Sequence, residues 1–424
     1  MTLTVPSTTP ATIVPPGRQA LDSALFRLDE AAGRLGLDDG LRTMLATPRR
    51  SLSVSVPVRR ENGRMEVVQG FRVQHNTARG PAMGGIRFHP GTDIDRTTAL
   101  AMAMTWRCAL VGIPYGGAAG GLRVAPAELT GRELERLTRR YVGEILPVIG
   151  PEKDIPSPDA GADERAMAWI LDGYSAGGYP APGTVTGMAG GLATGGRADA
   201  TGRGLAIATL KALPGSPEGR TVAVQGFGRV GASAARHLAS AGCRVVAVSD
   251  GTGAVADASG LDVDALLAWA EESGGVRGHR RADALPPEDL PELDVDVFVP
   301  AAPEVAITAE NAPRIRARLV VEAANGPVTP EADAILADAG TVVVPDILAN
   351  AGGVIVSYLE WVQNLQACSW SAHETGARLR RLMAETVAAI SAVSAEHGIT
   401  LRQAAYMIGV GRVAEAHRLR GLCS

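Results

Sequence analysis

Residues Gly226-Phe227-Gly228-Arg229-Val230-Gly231 stand directly after the apolar run Thr221–Gln225 and before a helical run, Ala232 to Ala241. Three glycines at this spacing, between a strand and a helix, build a cradle for a pyrophosphate. Gly226 allows the tight turn, Gly228 lets the backbone approach the phosphates, and Gly231 lets helix and strand pack closely. Free N–H groups at the helix start face the anion. Arg229, inside the loop, is placed either to meet a phosphate or to be solvated. The next apolar run, Arg244 to Ser249, ends at Asp250. A carboxylate there accepts hydrogen bonds from the adenosine ribose and repels a 2′-phosphate, so NAD is expected over NADP. A second candidate is Asp159, which follows Pro156-Ser-Pro158 in a stiff loop suited to an acid/base carboxylate. Taken alone, it reads more readily as a solvated turn residue. His75 and His89 have no carboxylate or cysteine spaced for a triad or a metal, so both are expected to be structural and no metal is expected.

These groups need a scaffold. Residues 221–225, 244–249, 295–299, 318–322 and 341–344 are short, Val-rich apolar runs separated by helical segments or Pro/Gly loops. Strands buried on both faces read this way, so residues of about 205–350 predict a parallel α/β sheet. Residues 52–57 and part of 64–74 alternate apolar and polar, which predicts half-buried strands. Asp95 is placed to cap a helix running toward Leu110. Thr130 and Glu133 form a capping box opening a helix to about Leu146. Tyr358 and Trp361, at helical spacing, read as packing groups. Residues 1–20, rich in Thr, Pro and Ala, read as a flexible arm.

Composition narrows the function classes. A chain of 424 residues, 46% hydrophobic and 20% charged, is globular over most of its length and long enough for two domains. The net charge of −4 supplies no basic field for nucleic acid or anionic lipid. No apolar run is long enough for a membrane span, and the start shows no leader pattern. Four scattered cysteines fit a reducing, cytoplasmic setting. Of 41 basic residues only Lys153 and Lys211 are lysine, leaving 41 − 2 = 39 arginines. Coding bias explains that ratio, but chemistry that needs a lysine amine has almost nowhere to live.

Several segments resemble one family closely, the glutamate/leucine/phenylalanine/valine dehydrogenases, and within it the hexameric glutamate dehydrogenases. They include Phe71-Arg-Val-Gln-His-Asn-Thr-Ala-Arg-Gly-Pro81, Gly84-Gly-Ile-Arg-Phe-His-Pro90, Met104-Thr-Trp-Arg-Cys-Ala-Leu110 and Pro114-Tyr-Gly-Gly-Ala-Ala-Gly-Gly121. Further on come Ile149 to Asp159, Ala200-Thr-Gly-Arg-Gly204, Gln225 to Gly231, Glu322-Ala-Ala-Asn-Gly-Pro327, Pro345 to Gly353 and Ser357 to Asn364. They keep the family's order over about residues 50–365. The resemblance implies an α/β fold of two domains: a substrate (dimerisation-type) domain over 21–200 and a Rossmann-like NAD-binding domain over 201–355. Helices over 356–424 then return to the first domain. It also implies reversible oxidative deamination of an L-amino acid to a 2-oxo acid, and a hexamer.

The family divides its chemistry between a lysine and an aspartate, and grips substrate with two more lysines. Asp159 matches the acid/base aspartate. Arg107 stands where the family holds the α-carboxylate with lysine, and a guanidinium retains that ability. Met83 stands where a lysine holds the side-chain carboxylate of glutamate; a thioether cannot pair an anion. Ala119 stands where the catalytic lysine belongs. Thr201, Asn325 and Asn350 match positions near the nicotinamide and its ribose, and Ser357 matches a serine directed at the substrate side chain. The loop Gly187–Arg197 is shorter than the family pattern. Three readings compete. One is a divergent NAD-dependent oxidoreductase with weak activity on the CH–NH2 group of an amino or imino acid less polar than glutamate. Another is a catalytically dead paralogue acting as a nucleotide-binding regulatory or heteromeric partner of an active sibling. The third is an engineered Lys-to-Ala variant.

Overall fold

The computed structural model describes residues 15–178, 181–188, 197–302 and 305–421. The first domain runs α1 (Pro16–Arg34), α2 (Asp39–Ala46), β1 (Arg50–Arg59), β2 (Met65–Asn76), β3 (Ala82–Phe88), α3 (Ile94–Leu110), β4 (Gly117–Leu122), α4 (Gly131–Ile145), β5 (Asp154–Pro158) and α5 (Glu164–Ser175). Its sheet has the order β1-β2-β4-β3-β5, antiparallel from β1 to β4 and parallel from β4 through β3 to β5. The alternation in 52–57 and 64–74 becomes β1 and β2, whose outer residues stay exposed. The capping box forms as expected: Glu133 N donates to Thr130 Oγ1 (3.2 Å), and Thr130 N donates to Glu133 Oε2 (2.9 Å). One cap moves. Asp93, rather than Asp95, accepts from Arg96 N at 2.8 Å, because the chain leaves its turn two residues earlier; Asp95 sits in the first helical turn. The proposed arm is shorter than 1–20: Pro16 fits the first turn of α1, where a missing N–H costs nothing, and residues 1–14 lie outside the described residues.

The second domain runs α6 (Arg197–Ala212), β6 (Thr221–Gln225), α7 (Arg229–Ser240), β7 (Arg244–Asp250), β8 (Gly253–Ala256), α8 (Val263–Ser273), β9 (Asp283–Leu285), β10 (Val297–Pro300), β11 (Leu319–Val321), α9 (Pro330–Asp338), β12 (Val342–Val344) and α10 (Asp346–Ala349). The five Val-rich runs are its parallel strands, in the order β12-β11-β10-β6-β7. Two antiparallel strands, β8 and β9, extend the β7 edge. They are short and partly exposed, so no continuous apolar run announces them.

The tail is α11 (Ala351–Gln366), α12 (Ala372–His397) and α13 (Leu401–Leu419). Of the tail helices α13 packs most extensively on α1 and α3 of the first domain; α11 and α12 lie mainly against α6. Trp361 Nε1 donates to Pro151 O (3.0 Å), and Glu360 accepts from Gly187 N (2.8 Å), so α11 braces the two domains. Tyr358 and Trp361 pack edge-on against Tyr115. No helix among the described residues is long and apolar enough to cross a membrane.

His75 is structural, as expected. It is buried, with Nε2 on Leu45 O (2.9 Å) and Nδ1 on Thr105 Oγ1 (2.8 Å). Burial pushes its pKa from 6.5 down to about 4, against the Leu45 bond that favours the charged ring. The unfolded chain therefore takes a proton that the native state refuses. This residue's contribution is flat above pH 6.5 and is lost as pH falls toward 4. A drop from pH 7 to pH 5 should cost about 2 kcal/mol from His75 alone. Urea midpoints at the two pH values test this, with His75→Gln losing that part of the slope.

Candidate functional site

The glycine loop forms as the spacing requires. Gly226 has φ +101°, where an L side chain is strained, and Gly226 N and Phe227 N both donate to Ser249 O (2.8 and 2.7 Å). A Cβ on Gly231 would meet Gly226 O at 1.9 Å, so the helix start presses on the turn. A Cβ on Gly228 would meet nothing within 4 Å, which leaves open space in front of the loop. Gly228 also caps α7 with no side-chain bond, so the first-turn N–H groups keep no side-chain acceptor. These features fit a pyrophosphate. Asp250, at the end of β7, already accepts from Thr252 N (2.7 Å) and Val276 N (2.8 Å). It orders its own turn, and a carboxylate keeps further lone pairs for a ribose.

Between the domains lies a cavity of about 250 Å³. The first domain lines it with Met83, Arg107, Ala119 and Asp159, the second with Thr201, Arg229, Val230, Asn325 and Asn350, and α11 of the tail with Ser357. Residues far apart in the chain thus line one cavity; Gly226, Phe227, Gly228 and Gly231 of the loop and Asp250 at the end of β7 are not among its lining residues. Most of the Gly187–Arg197 loop, residues 189–196, lies outside the described residues.

Ala119 is on β4, paired with Val73 and packed with Val73 and Ala101. The strand is built of small residues because α3 lies on it: a Cβ on Gly117 would meet Thr105 N at 2.3 Å. Met83 on β3 is buried, its register partner being Ile155. Arg107, on the last turn of α3, is also buried. Its Nη2 donates across the cleft to Asn325 Oδ1 at 3.1 Å, Nη1 approaches Met104 Sδ at 3.6 Å, and Nε has no partner. No carboxylate pairs with it among the described residues. Asp159 follows β5 and faces Arg87: Nε to Oδ2 is 3.3 Å and Nη2 to Oδ1 is 3.4 Å, with Ala160 N donating at 2.7 Å. Arg87 therefore holds the carboxylate in place. Asn350 donates through Nδ2 to Ala324 O (3.2 Å), while its buried Oδ1 has no donor. An orphaned acceptor on this wall fits the amide or hydroxyl donors of a nicotinamide riboside.

Sequence reasoning gave no role to the groups that hold Asn325 and Asn350. Glu322 accepts both guanidinium nitrogens of Arg402 (2.7 and 2.9 Å) and Asp346 N (2.8 Å); Asp346 in turn accepts Gly326 N at 3.0 Å. This network locks the 322–326 turn to the 345–350 turn. Glu322 and Asp346 both stand in the quoted segments, but nothing in their spacing names Arg402.

Two family descriptions match the chain: the Glu/Leu/Phe/Val dehydrogenase dimerisation domain over residues 48–176, and Glutamate/Leucine/Phenylalanine/Valine dehydrogenase over 190–421. The chain belongs to this dehydrogenase family. A glutamate dehydrogenase of Thermotoga maritima is 45% identical over 413 residues, 96% of this chain and 99% of the relative. An NAD-specific glutamate dehydrogenase of Halobacterium salinarum is 45% identical over 414 residues, 95% of this chain and 94% of the relative. Among solved structures, a hetero-hexameric glutamate dehydrogenase of Thermus thermophilus in a leucine-bound form superimposes with a TM-score of 0.91 at 40% identity, over 97% of this chain and 99% of that one. The two-domain α/β fold is that of the glutamate dehydrogenases, a family that uses a nicotinamide cofactor.

The loop geometry makes one substitution informative. Gly228→Ala meets no protein atom, so stability should stay within about 0.5 kcal/mol. The added methyl enters the space kept for the pyrophosphate and should weaken NAD binding about ten-fold, ~1.4 kcal/mol. Tryptophan quenching by NAD, beside a thermal melt, checks both halves.

Proposed function

We propose that this chain is a nucleotide-binding subunit of the glutamate dehydrogenase type that has largely given up amino acid dehydrogenase chemistry and works in an oligomer beside a lysine-bearing sibling. The residue that carries this reading is Ala119, matched by resemblance to the catalytic lysine's place, whose methyl group packs on Val73 and Ala101. The cations that line the cavity are Arg107 and Arg229, both guanidinium groups. Guanidinium does not give up a proton in the working pH range, so neither replaces an amine in proton transfer. Loss of one preorganised donor at a developing charge costs about 10²–10³ in rate. The similar Thermus protein is described as hetero-hexameric, which is the kind of assembly such a subunit would enter. Asp250 supports NAD rather than NADP as the nucleotide, as does the similarity to an NAD-specific relative.

A second reading rests on the cavity. Arg107, lacking a carboxylate partner, stands beside Met83, Leu100, Met104 and Val354. Such a site takes a monocarboxylate with an aliphatic side chain: a divergent oxidoreductase acting on an amino acid less polar than glutamate. Two measurements decide. NADH oxidation with ammonium and a panel of 2-oxo acids should be near background for the isolated chain. Purification from the native host, followed by native mass spectrometry, should give a mixed assembly. Turnover by the isolated chain at the rate of a lysine-bearing relative would overturn the first reading and establish the second.

A further inference from the structure

A second cavity, of about 540 Å³, lies between the end of β2 and the end of α13. Arg49, Asn76, Thr77, His417 and Arg420 line it, and no carboxylate does among the described residues. We propose that this cleft binds a small oxyanion, a phosphate or carboxylate group, between Arg49, Arg420 and His417.

The hydrogen bonds set the polarity of the site. Asn76 Oδ1 accepts from Ala78 N at 2.9 Å, which fixes the amide so that Nδ2 faces outward. That Nδ2 lies 2.8 Å from His417 Nε2. An amide nitrogen donates, so Nε2 is the acceptor, and the proton of the neutral ring is on Nδ1. His417 is 7% exposed, and its Nδ1 has no partner. Burial, with Arg420 nearby, lowers its pKa and keeps the ring neutral. The result is a buried N–H donor with no acceptor, a costly arrangement in the absence of a ligand.

The charges point the same way. Arg49 donates to Thr77 Oγ1, and Arg420 donates to Ala78 O at 3.1 Å. Neither guanidinium makes an ion pair among the described residues. The carbonyl ends of α13 offset part of this field, but an oxyanion gains charge-assisted bonds from two arginines and one from the orphaned imidazole N–H. The site is separate from the nucleotide cavity and does not depend on how that cavity is used.

The test uses the full-length protein with saturating NAD, so that the Gly226–Gly231 loop is filled. Calorimetric titration with sodium phosphate, then sodium acetate, at pH 7 and fixed ionic strength should give saturable binding at one site per chain for at least one of them. Whichever binds more tightly names the group. Arg49→Gln/Arg420→Gln should weaken binding about ten-fold or more. Arg420→Lys, which keeps the charge, should weaken it less. Crystals soaked in selenate should show an anomalous peak within hydrogen-bond reach of both arginines. Binding that is absent for both anions, or unchanged in the double variant, overturns the proposal. So does a neighbouring subunit's side chain seated in the cleft.

Discussion

Ala119→Lys is expected to raise NADH oxidation with ammonium and a 2-oxo acid by about 10²–10³. The geometry accommodates the change. Ala119 lines the cavity between the domains together with Leu100, Ala103 and Met104, so a lysine stem can run along that wall toward open volume. Asp159 lines the same cavity and would favour the charged amine. The nucleotide side needs no repair, since the loop, Asn325 and Asn350 are in place. The gain should appear first with aliphatic 2-oxo acids, because Met83 leaves no cation for a second carboxylate. Adding Met83→Lys should move the preference toward 2-oxoglutarate. Steady-state rates across a 2-oxo acid panel check both steps. A silent Ala119→Lys enzyme that still binds NAD would show that Arg107, tied to Asn325, blocks closure or substrate entry. Ala119→Lys/Arg107→Lys would then have to be active for the missing amine to remain the explanation.

Arg72→Leu should cost about 3–5 kcal/mol of stability. Arg72 and Asp154 are both fully buried, and Arg72 Nε donates to Asp154 Oδ2 at 2.8 Å while Nη2 bonds Oδ1. Gln74 Nε2 adds a bond to the same carboxylate at 3.0 Å, and Arg72 Nη1 reaches Gly84 O at 3.3 Å. One guanidinium thus ties β2, β3 and β5 together. Removing it strands an anion in the sheet, which is where the cost arises. For a domain of this size the thermal midpoint should fall by roughly 6–20 °C. Because β5 leads straight into Asp159, the cavity wall loses its anchor as well. Arg72→Leu/Asp154→Leu should recover most of the loss, since no charge is then left buried. A single variant that melts within about 2 °C of the parent would show that the pair contributes little.

Much of the nucleotide domain was legible in advance. Five Val-rich runs gave five strands, because strands covered on both faces carry apolar residues at every position. The glycine triplet was readable because each glycine answers a steric demand that other residues fail. Strands β8 and β9 escaped notice, being short edge strands with exposed residues. The cap of α3 shifted from Asp95 to Asp93, since both are good caps and only the path of the preceding turn chooses between them. The substitutions at Met83, Arg107 and Ala119 were visible too, although only against a family pattern.

Residue identity alone therefore determined the class of protein and the glycine-rich loop, and showed that position 119 carries no amine. These depend on local backbone demands and on which functional groups exist in the chain. The tertiary structure decided what surrounds those groups. It tied Arg107 to Asn325, put Arg87 on Asp159, and linked Glu322 to Arg402 eighty residues on. It also left His417 Nδ1 without an acceptor. Such pairings are set by how two domains and a returning helix pack. A guanidinium looks the same in the sequence whether it meets a carboxylate, an amide or nothing.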